Sequence, residues 1–393
     1  MTIPWQPLHL TFPRSELRDP EQVLEDGLTA ALAAQPVHGQ RVAVAVGSRG
    51  IPGIARWVEV TVRALRAAGA TAQVVPAMGS HGGGTAAAQA RVLADLGITT
   101  ARLGVPVVSR GAVVRAGTAA DGTPVWCDAA AWEADAVVPI NRVKPHTAFR
   151  GTVESGPSKL LAVGLGKGPS AEACHLAGLA KAIPAVTRFW LDSGRVPCGV
   201  ALVENAHHRV AELAVLTPAT WLVQEARLLE RARALLPRLP WGELDLLVVQ
   251  EIGKDISGTG MDLNVIGLGR RFAGCDEPPR IRRVVALALS PASHGNANGV
   301  GYADGVTEGL AAAVDWEVTR ANARTTGFAE AARLPRVAAD EEQAVAAALA
   351  DLPPGTRAAL RAVRIRDTSH LTEIEVSPAL LPTPHGPVHN SYG

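Results

Sequence analysis

Short apolar runs alternate with amphipathic stretches along the first half of the chain. Residues 41–46 (RVAVAV) have the pattern of a buried strand, and from 54 to 68 apolar residues recur every three or four positions, as on one face of a helix. The strand pattern returns at 71–76 and 136–140, with a second helix pattern at 85–96 between them. Strands and helices in this order predict a parallel sheet covered by helices.

The same order starts again in the second half. We expect a helix at 219–236 that ends before Pro237. Further on, the pattern predicts strands at 244–249 and 284–289, helices at 304–314 and 340–352, and two short strands within 362–376. The predicted fold is α/β, with two α/β domains that have parallel-type sheets. The expected domains are residues 1–240, rejoined by 362–380, then 241–361, and a loose tail at 381–393.

Composition excludes several classes of protein. The 393 residues are 47% hydrophobic and 19% charged, which is typical of a globular chain. The formal charge of +1 lacks the positive excess of a nucleic-acid binder. Charged residues or prolines interrupt each apolar stretch before it reaches the roughly 18 residues of a membrane span. No secretory signal opens the chain and its four cysteines form no CxxC, so we expect a cytoplasmic protein.

Lysine is rare in this chain. Of the 38 basic residues, only Lys144, Lys159, Lys167, Lys181 and Lys254 are lysines. Where charge alone is needed, arginine serves, so a retained lysine suggests a nucleophilic amine or a compact ammonium that a guanidinium cannot imitate. The first three lie in one glycine-rich stretch, although a buried packing role explains a single lysine equally well.

Glycine-rich or polar loops follow the predicted strands. They lie at 47–50, 79–84 and 141–158 in the first half, and at 251–269 and 293–305 in the second. Ligands of open parallel sheets bind at the carboxyl ends of the strands, so each of these loops lies where a ligand is expected. If the two domains face each other, the loops converge on a cleft between them.

Three histidines lie in or beside the loops of the first half, namely His81, His146 and His175. A single loop histidine is more often a capping or solvated residue than a catalyst. Because His81 and His146 follow different strands of one sheet, they could approach a substrate from opposite sides as acid and base. The three together could also ligate zinc, although no HxH or HExxH motif is present.

Three familiar motifs fail on spacing. The segment GLGKGPS at 164–170 does not match the P-loop GxxxxGK[ST], and GSRGIPG at 47–53 misses GxGxxG. Ser48 and Ser80 do not lie in GxSxG, which argues against a hydrolase.

Longer motifs together resemble the nickel-pincer lactate racemase family over residues 42–377. The motifs are GSR and GSHGG after the first two strands, then NRVKPHTAFRG, SKLLAVGLGKGPSAEACH, EIGKDISGTGMDLNV and SHGNANGVGYAD. The resemblance implies two α/β domains with a cofactor in the cleft between them. That cofactor is a nickel-pincer nucleotide, a pyridinium mononucleotide whose sulfur-bearing arms hold nickel, loaded by cofactor-assembly enzymes.

The resemblance also implies roles for individual residues. Lys159 matches the lysine that is covalently attached to the cofactor, and His175 matches the nickel-ligating histidine, 16 positions further on. Soft sulfur with one imidazole suits nickel. His81 and His146 match the paired acid/base histidines, and Arg49 matches a residue near the substrate carboxylate.

The cofactor-binding turn and the second domain complete this assignment. The turn matches Val46, Gly47, Ser48 and Arg49, with Val46 where the lactate racemase proper has an aspartate. For substrate contacts, Gly267 and Arg270 stand near a glutamine and a lysine of the family, and Lys254 is a rival for the lysine's role.

The function implied is an isomerase, a racemase or epimerase of a small 2-hydroxy acid that works by proton-coupled hydride transfer. Two alternatives remain at this stage, a net oxidoreductase on the same cofactor and a non-catalytic cofactor-binding protein. The retention of both His81 and His146 argues against the second alternative.

Overall fold

The computed structural model describes residues 3–47, 51–79, 85–147, 149–272, 277–350, 352–353 and 355–381. The chain forms two compact units. The first unit is Pro13–Leu236, and the second comprises the described residues of Met1–Phe12 and Pro237–Gly393. The fold is mixed α/β with mostly parallel sheets, which confirms the predicted fold class.

The first unit contains a sheet of five strands among the described residues, in the order β3-β2-β6-β7-β8. Neighbouring strands are parallel except for β7 and β8. A separate antiparallel hairpin pairs β4 with β5. The strands are β2 Arg41–Val46, β3 Thr71–Pro76, β4 Val113–Thr118, β5 Pro124–Asp128, β6 Ala136–Arg142, β7 Gly199–Glu204 and β8 Val210–Leu216.

Helices cover both faces of this sheet. They are α1 Pro20–Ala34, α2 Ile54–Ala67, α3 Ala86–Asp95, α4 Thr100–Leu103, α5 Ala129–Glu133, α6 Pro157–Lys159, α7 Lys167–Ala177, α8 Leu179–Asp192 and α9 Trp221–Leu235. Side chains alternate along β2, so Val42 and Val44 pack in the core with α1 and α2. Ala43 and Ala45 face the other core, with α8 and α9.

The second unit contains a seven-stranded sheet among its described residues, in the order β1-β14-β13-β9-β10-β11-β12. The strands from β13 to β12 are parallel, and β14 and β1 add antiparallel pairs. The strands are β1 Gln6–His9, β9 Glu243–Ile252, β10 Arg280–Leu289, β11 Gly305–Thr307, β12 Arg336–Ala338, β13 Ala362–Ile365 and β14 Glu373–Val376. The helices are α10 Leu263–Ile266, α11 Glu308–Ala313, α12 Trp316–Thr326 and α13 Glu341–Ala350.

Three sequence expectations need correction. Residues 362–380 do not return to the first domain, because β13 pairs with β9 inside the second sheet. Residues 3–12 do not belong to the first domain either, because β1 pairs with β14. The helix expected at 304–314 begins with a strand, β11, which pairs with β10 before α11 starts.

Two remaining expectations concern the tail and the membrane. Residues 382–393 of the predicted tail lie outside the described residues. None of the described helices has the length and apolar character needed to cross a membrane.

Candidate functional site

The loops after β2 and β3 both reach one short stretch of chain, residues 156–165, called the crossing segment below. Gly79, in the loop after β3, donates its N–H to Gly164 O at 3.0 Å. A Cβ added at Gly47, directly after β2, would lie 3.3 Å from Leu160 Cδ1. The crossing segment therefore lies at the carboxyl edge of the parallel strands, where such sheets bind ligands.

Close backbone packing fixes the crossing segment at both of its ends. Asn141 in β6 donates from Nδ2 to Gly156 O at 2.9 Å. A Cβ at Gly164 would lie 2.4 Å from Ala77 O, so only glycine allows this approach. Between these anchors, Leu160–Gly164 forms a π-helical turn, a feature frequent at functional sites.

The crossing segment brings Lys159 and His146 together. Lys159 is the last residue of α6 and is half-buried. Its Nζ lies 2.5 Å from Nε2 of His146. The His146 ring packs on Phe149, with ring centroids 4.7 Å apart. A primary amine and an imidazole that can accept its proton are thus in contact.

A buried carboxylate, Glu154, holds the loop that carries His146. Glu154 accepts hydrogen bonds from His146 N at 2.6 Å and from Gly151 N at 3.1 Å. Arg233 of α9 donates to the same carboxylate at 2.6 Å, which balances its charge. The position of His146 is therefore fixed through its backbone.

Helix α7 packs on the crossing segment and carries His175. The hydroxyl of Ser170 donates to Ala162 O at 2.8 Å, and Cys174 Sγ lies 3.4 Å from the same oxygen. Burial raises the pKa of Cys174 to about 12, so it is a neutral thiol at pH 7. His175 follows it and is half-buried. Cys174 Sγ thus packs against the backbone of the crossing segment.

Lys167 is buried inside a polar cluster. Its Nζ lies 2.9 Å from Asp128 Oδ2 and donates to Gln89 Oε1 at 2.7 Å. Gln89 in turn donates from Nε2 to Gly79 O at 2.9 Å, at the start of the loop that contains His81. Lys167 therefore joins α7 to the end of β3, which is a structural role for one of the rare lysines.

Part of the predicted site lies outside the described residues, namely Ser48, Arg49 and His81. Val46 is described, and its side chain is fully buried in the core. Its carbonyl accepts from Ala77 N at 2.8 Å. At Val46 the side chain is therefore part of the hydrophobic core and cannot act as a polar ligand.

In the second unit, Lys254 follows β9 at its carboxyl end. Its Nζ donates to Gly258 O at 2.6 Å and to Asn322 Oδ1 at 2.8 Å. Lys254 N also donates to Ser293 Oγ at 2.8 Å, in the loop after β10. The ammonium is thus held at the edge of the sheet where a ligand is expected.

Gly267 and Arg270 have different surroundings. Gly267 has φ +100°, and a Cβ there would lie 2.6 Å from Pro279 O, so no side chain fits. Arg270 donates to Ile281 O at 3.0 Å and pairs with Asp304 at 2.9 Å. These partners lie at the amino ends of β10 and β11, the opposite edge from the loop after β9. Both contacts assign Arg270 a structural role.

The residues present fit the cofactor that the sequence resemblance implies. That group needs an amine for attachment and one imidazole for nickel. Lys159 lies on the crossing segment and His175 lies on the helix packed against it, and both are half-buried. Among the described residues, no set of three or more His, Cys, Asp or Glu side chains could hold a metal ion by itself. A metal brought by an organic ligand needs no such set.

Sequence reasoning missed Glu225, a buried carboxyl group of α9, and left the role of Lys167 open. Glu225 is an ordinary helix position by pattern, and nothing in the sequence distinguishes it. For Lys167, the only signal in the sequence was the rarity of lysine.

Comparison with solved structures identifies a similar fold. The two-unit α/β fold with mostly parallel sheets is similar to that of the lactate racemase apoprotein from Thermoanaerobacterium thermosaccharolyticum. The similarity covers 88% of this chain and 93% of that chain, with a TM-score of 0.52 and 12% sequence identity. At this identity it concerns the fold alone. No family model matches the sequence, and no curated protein matches it either.

Proposed function

We propose that the protein is a racemase or epimerase of a small 2-hydroxy acid that uses a nickel-pincer nucleotide attached to Lys159. The observation that carries this proposal is the contact of 2.5 Å between Lys159 Nζ and His146 Nε2 at the carboxyl edge of the parallel strands. The similarity in fold to a lactate racemase supports it.

Four residues of the chain have separate roles in this proposal. Lys159 holds the nucleotide and His175 supplies one ligand to nickel, which suits an imidazole among soft sulfur donors. When bound, the nucleotide supplies a hydride acceptor for the carbon that bears the hydroxyl. His146 removes the hydroxyl proton on one face, and His81 serves the other face.

The substrate carboxylate needs a cation. Arg49 follows β2 and would bind it as a bidentate fork. Lys254 remains a candidate on the sequence resemblance alone, and its Nζ donates to Gly258 O and Asn322 Oδ1 within the second unit. Gly267 and Arg270 are not assigned to the substrate, because no side chain fits at Gly267 and because Arg270 pairs with Asp304.

The test is a stereochemical assay on holoprotein that has been co-expressed with cofactor-assembly enzymes. Each enantiomer of a panel of 2-hydroxy acids is incubated with the protein, and the products are separated by chiral chromatography. We expect at least one acid to give the opposite enantiomer without net consumption. A Lys159→Arg variant keeps the charge but cannot form the adduct, so it should be inactive.

Two results count against the proposal. Net formation of a 2-keto acid with an added electron acceptor would indicate an oxidoreductase. Fully loaded protein that converts no acid in the panel would indicate a binding protein.

A further inference from the structure

Glu225 of α9 is a completely buried carboxyl group next to the crossing segment. Its Oε1 accepts from Ser158 N at 3.2 Å. Its Oε2 accepts from Ser158 Oγ at 2.5 Å and from Trp221 Nε1 at 2.9 Å. Three donors therefore converge on one carboxylate, and two of them belong to the residue before Lys159.

The chain has made room for this carboxyl group. A Cβ at Gly156 would lie 2.1 Å from Glu225 Oε1, so any side chain at position 156 would displace the carboxyl group. The start of the crossing segment is thus shaped around Glu225 at positions 156 and 158.

This arrangement is costly for the protein. Glu225 and Trp221 are both buried, and among the described residues no cation forms an ion pair with Glu225. Burial raises the pKa of Glu225 to about 7, against the effect of its three hydrogen bonds, which lower it. A buried carboxyl group without a cation is unfavourable, and an apolar side chain would fill the same space at less cost.

We propose that Glu225 is a positioning residue for Lys159, which holds the start of the crossing segment so that the Lys159 amine contacts His146. It acts through Ser158 and touches no reacting atom. The inference deepens the proposed function, on which it rests for the role of Lys159. The hydrogen bonds of Glu225 with Ser158 and the contact of Lys159 with His146 are properties of the protein without any nucleotide.

The consequence is a reactive amine. Acylation of an amine releases a proton, and an imidazole 2.5 Å away can accept it. If Glu225 no longer holds Ser158, this contact is lost. A general loosening of the fold would instead expose Lys159 and raise its labelling, so the direction of the change distinguishes positioning from stability.

The experiment is competitive labelling of the full chain, without nucleotide, by trace acetic anhydride at pH 7.5. After digestion, the acetylation of Lys159 is compared with that of Lys181, an exposed lysine of α8. In Glu225→Gln the ratio of Lys159 to Lys181 should fall by about threefold or more, since a positioned proton acceptor is lost. The control Glu133→Gln makes the same chemical change at an exposed carboxylate of α5 and should leave the ratio unchanged.

Ser158→Ala keeps the experiment decisive if Glu225→Gln fails to fold. It removes the hydroxyl, which donates to Glu225 and accepts from Trp221 Nε1 at 3.0 Å, but it keeps the backbone contact of Ser158 N with Glu225. A smaller fall in the same direction is therefore expected. An unchanged or raised ratio in a folded variant overturns the positioning role. Absence of an adduct on Lys159 of wild-type holoprotein would instead contradict the proposed function and leave this result standing.

Discussion

Lys159 Nζ and His146 Nε2 lie 2.5 Å apart at the end of the crossing segment. This contact supports the proposal that the nucleotide is attached to Lys159. Peptide mapping of holoprotein by mass spectrometry should find the nucleotide adduct on the peptide that contains Lys159. Lys167 is the matched comparison, because its amine is buried against Asp128. An adduct on Lys144 or Lys167 would show that the assignment is wrong.

His175 should retain nickel. His175→Ala removes one imidazole from a half-buried helix position, so we expect nickel to be held at least about 10-fold more weakly with the fold intact. Nickel is measured by elemental analysis after dialysis. Glu172→Ala, an exposed change on the same helix, should keep the wild-type nickel content. Full nickel occupancy in His175→Ala would exclude this ligand.

The two acid/base histidines should both be necessary. Because racemisation moves a proton on each face of a planar intermediate, His81→Gln and His146→Gln should each lower the rate by about 10²- to 10⁴-fold in both directions. The control His9→Gln changes an exposed residue of β1 and should be neutral. The rate is followed by chiral chromatography with the best substrate of the panel. Near wild-type turnover in either variant would remove that histidine from the mechanism.

Glu225 should make stability depend on pH. Its pKa is raised from 4.5 to about 7 in the folded state, so the folded protein binds the extra proton between these values. Its contribution to stability is therefore fully present below pH 4.5 and is lost as pH rises to about 7, by about 3 kcal/mol in total. Urea unfolding at pH 5 and pH 8 should show Glu225→Gln gaining stability relative to wild type at the higher pH. A constant difference at the two pH values would contradict this ionisation.

The buried pair of Lys167 and Asp128 should be a large term in stability. Lys167→Met leaves the Asp128 carboxylate buried without its cation, and such a loss typically costs about 3–5 kcal/mol. Lys181→Met, on an exposed lysine, should change little. Adding Asp128→Asn to Lys167→Met should recover part of the loss. Denaturant unfolding that shows no cost for Lys167→Met would mean that the pair is not formed.

Local patterns were sufficient for many elements. The predicted strands at 41–46 and 71–76 are β2 and β3 without change, because their apolar runs are bounded by clear turn residues. Thr85 caps α3, with its hydroxyl accepting from Ala88 N at 3.3 Å. Pairing over long distances was not predictable, and β1 with β14 is the main example. The sequence of the four-residue β1 has no pattern that indicates which strand it pairs with.

The candidate site was predictable only in part. His146 and Lys159 lie in the same connection, between β6 and β7, and the sequence singled out each of them but did not predict their contact. Glu225 could not be found, because its burial depends on the glycine at position 156 and on the packing of α9. Arg270 shows the reverse case. Its alignment suggested a ligand contact, but its contacts are with Ile281 O and Asp304.

The pairing of β1 with β14 gives the chain a discontinuous second unit. Glu373 is synthesised about 360 residues after its partner His9. At about 5–20 residues per second, β1 is synthesised roughly 20 to 70 s before β14, the strand with which it pairs. The first unit, Pro13–Leu236, is contiguous and can fold during this interval. Folding during synthesis can therefore begin with the first unit, before β1 and β14 pair in the second.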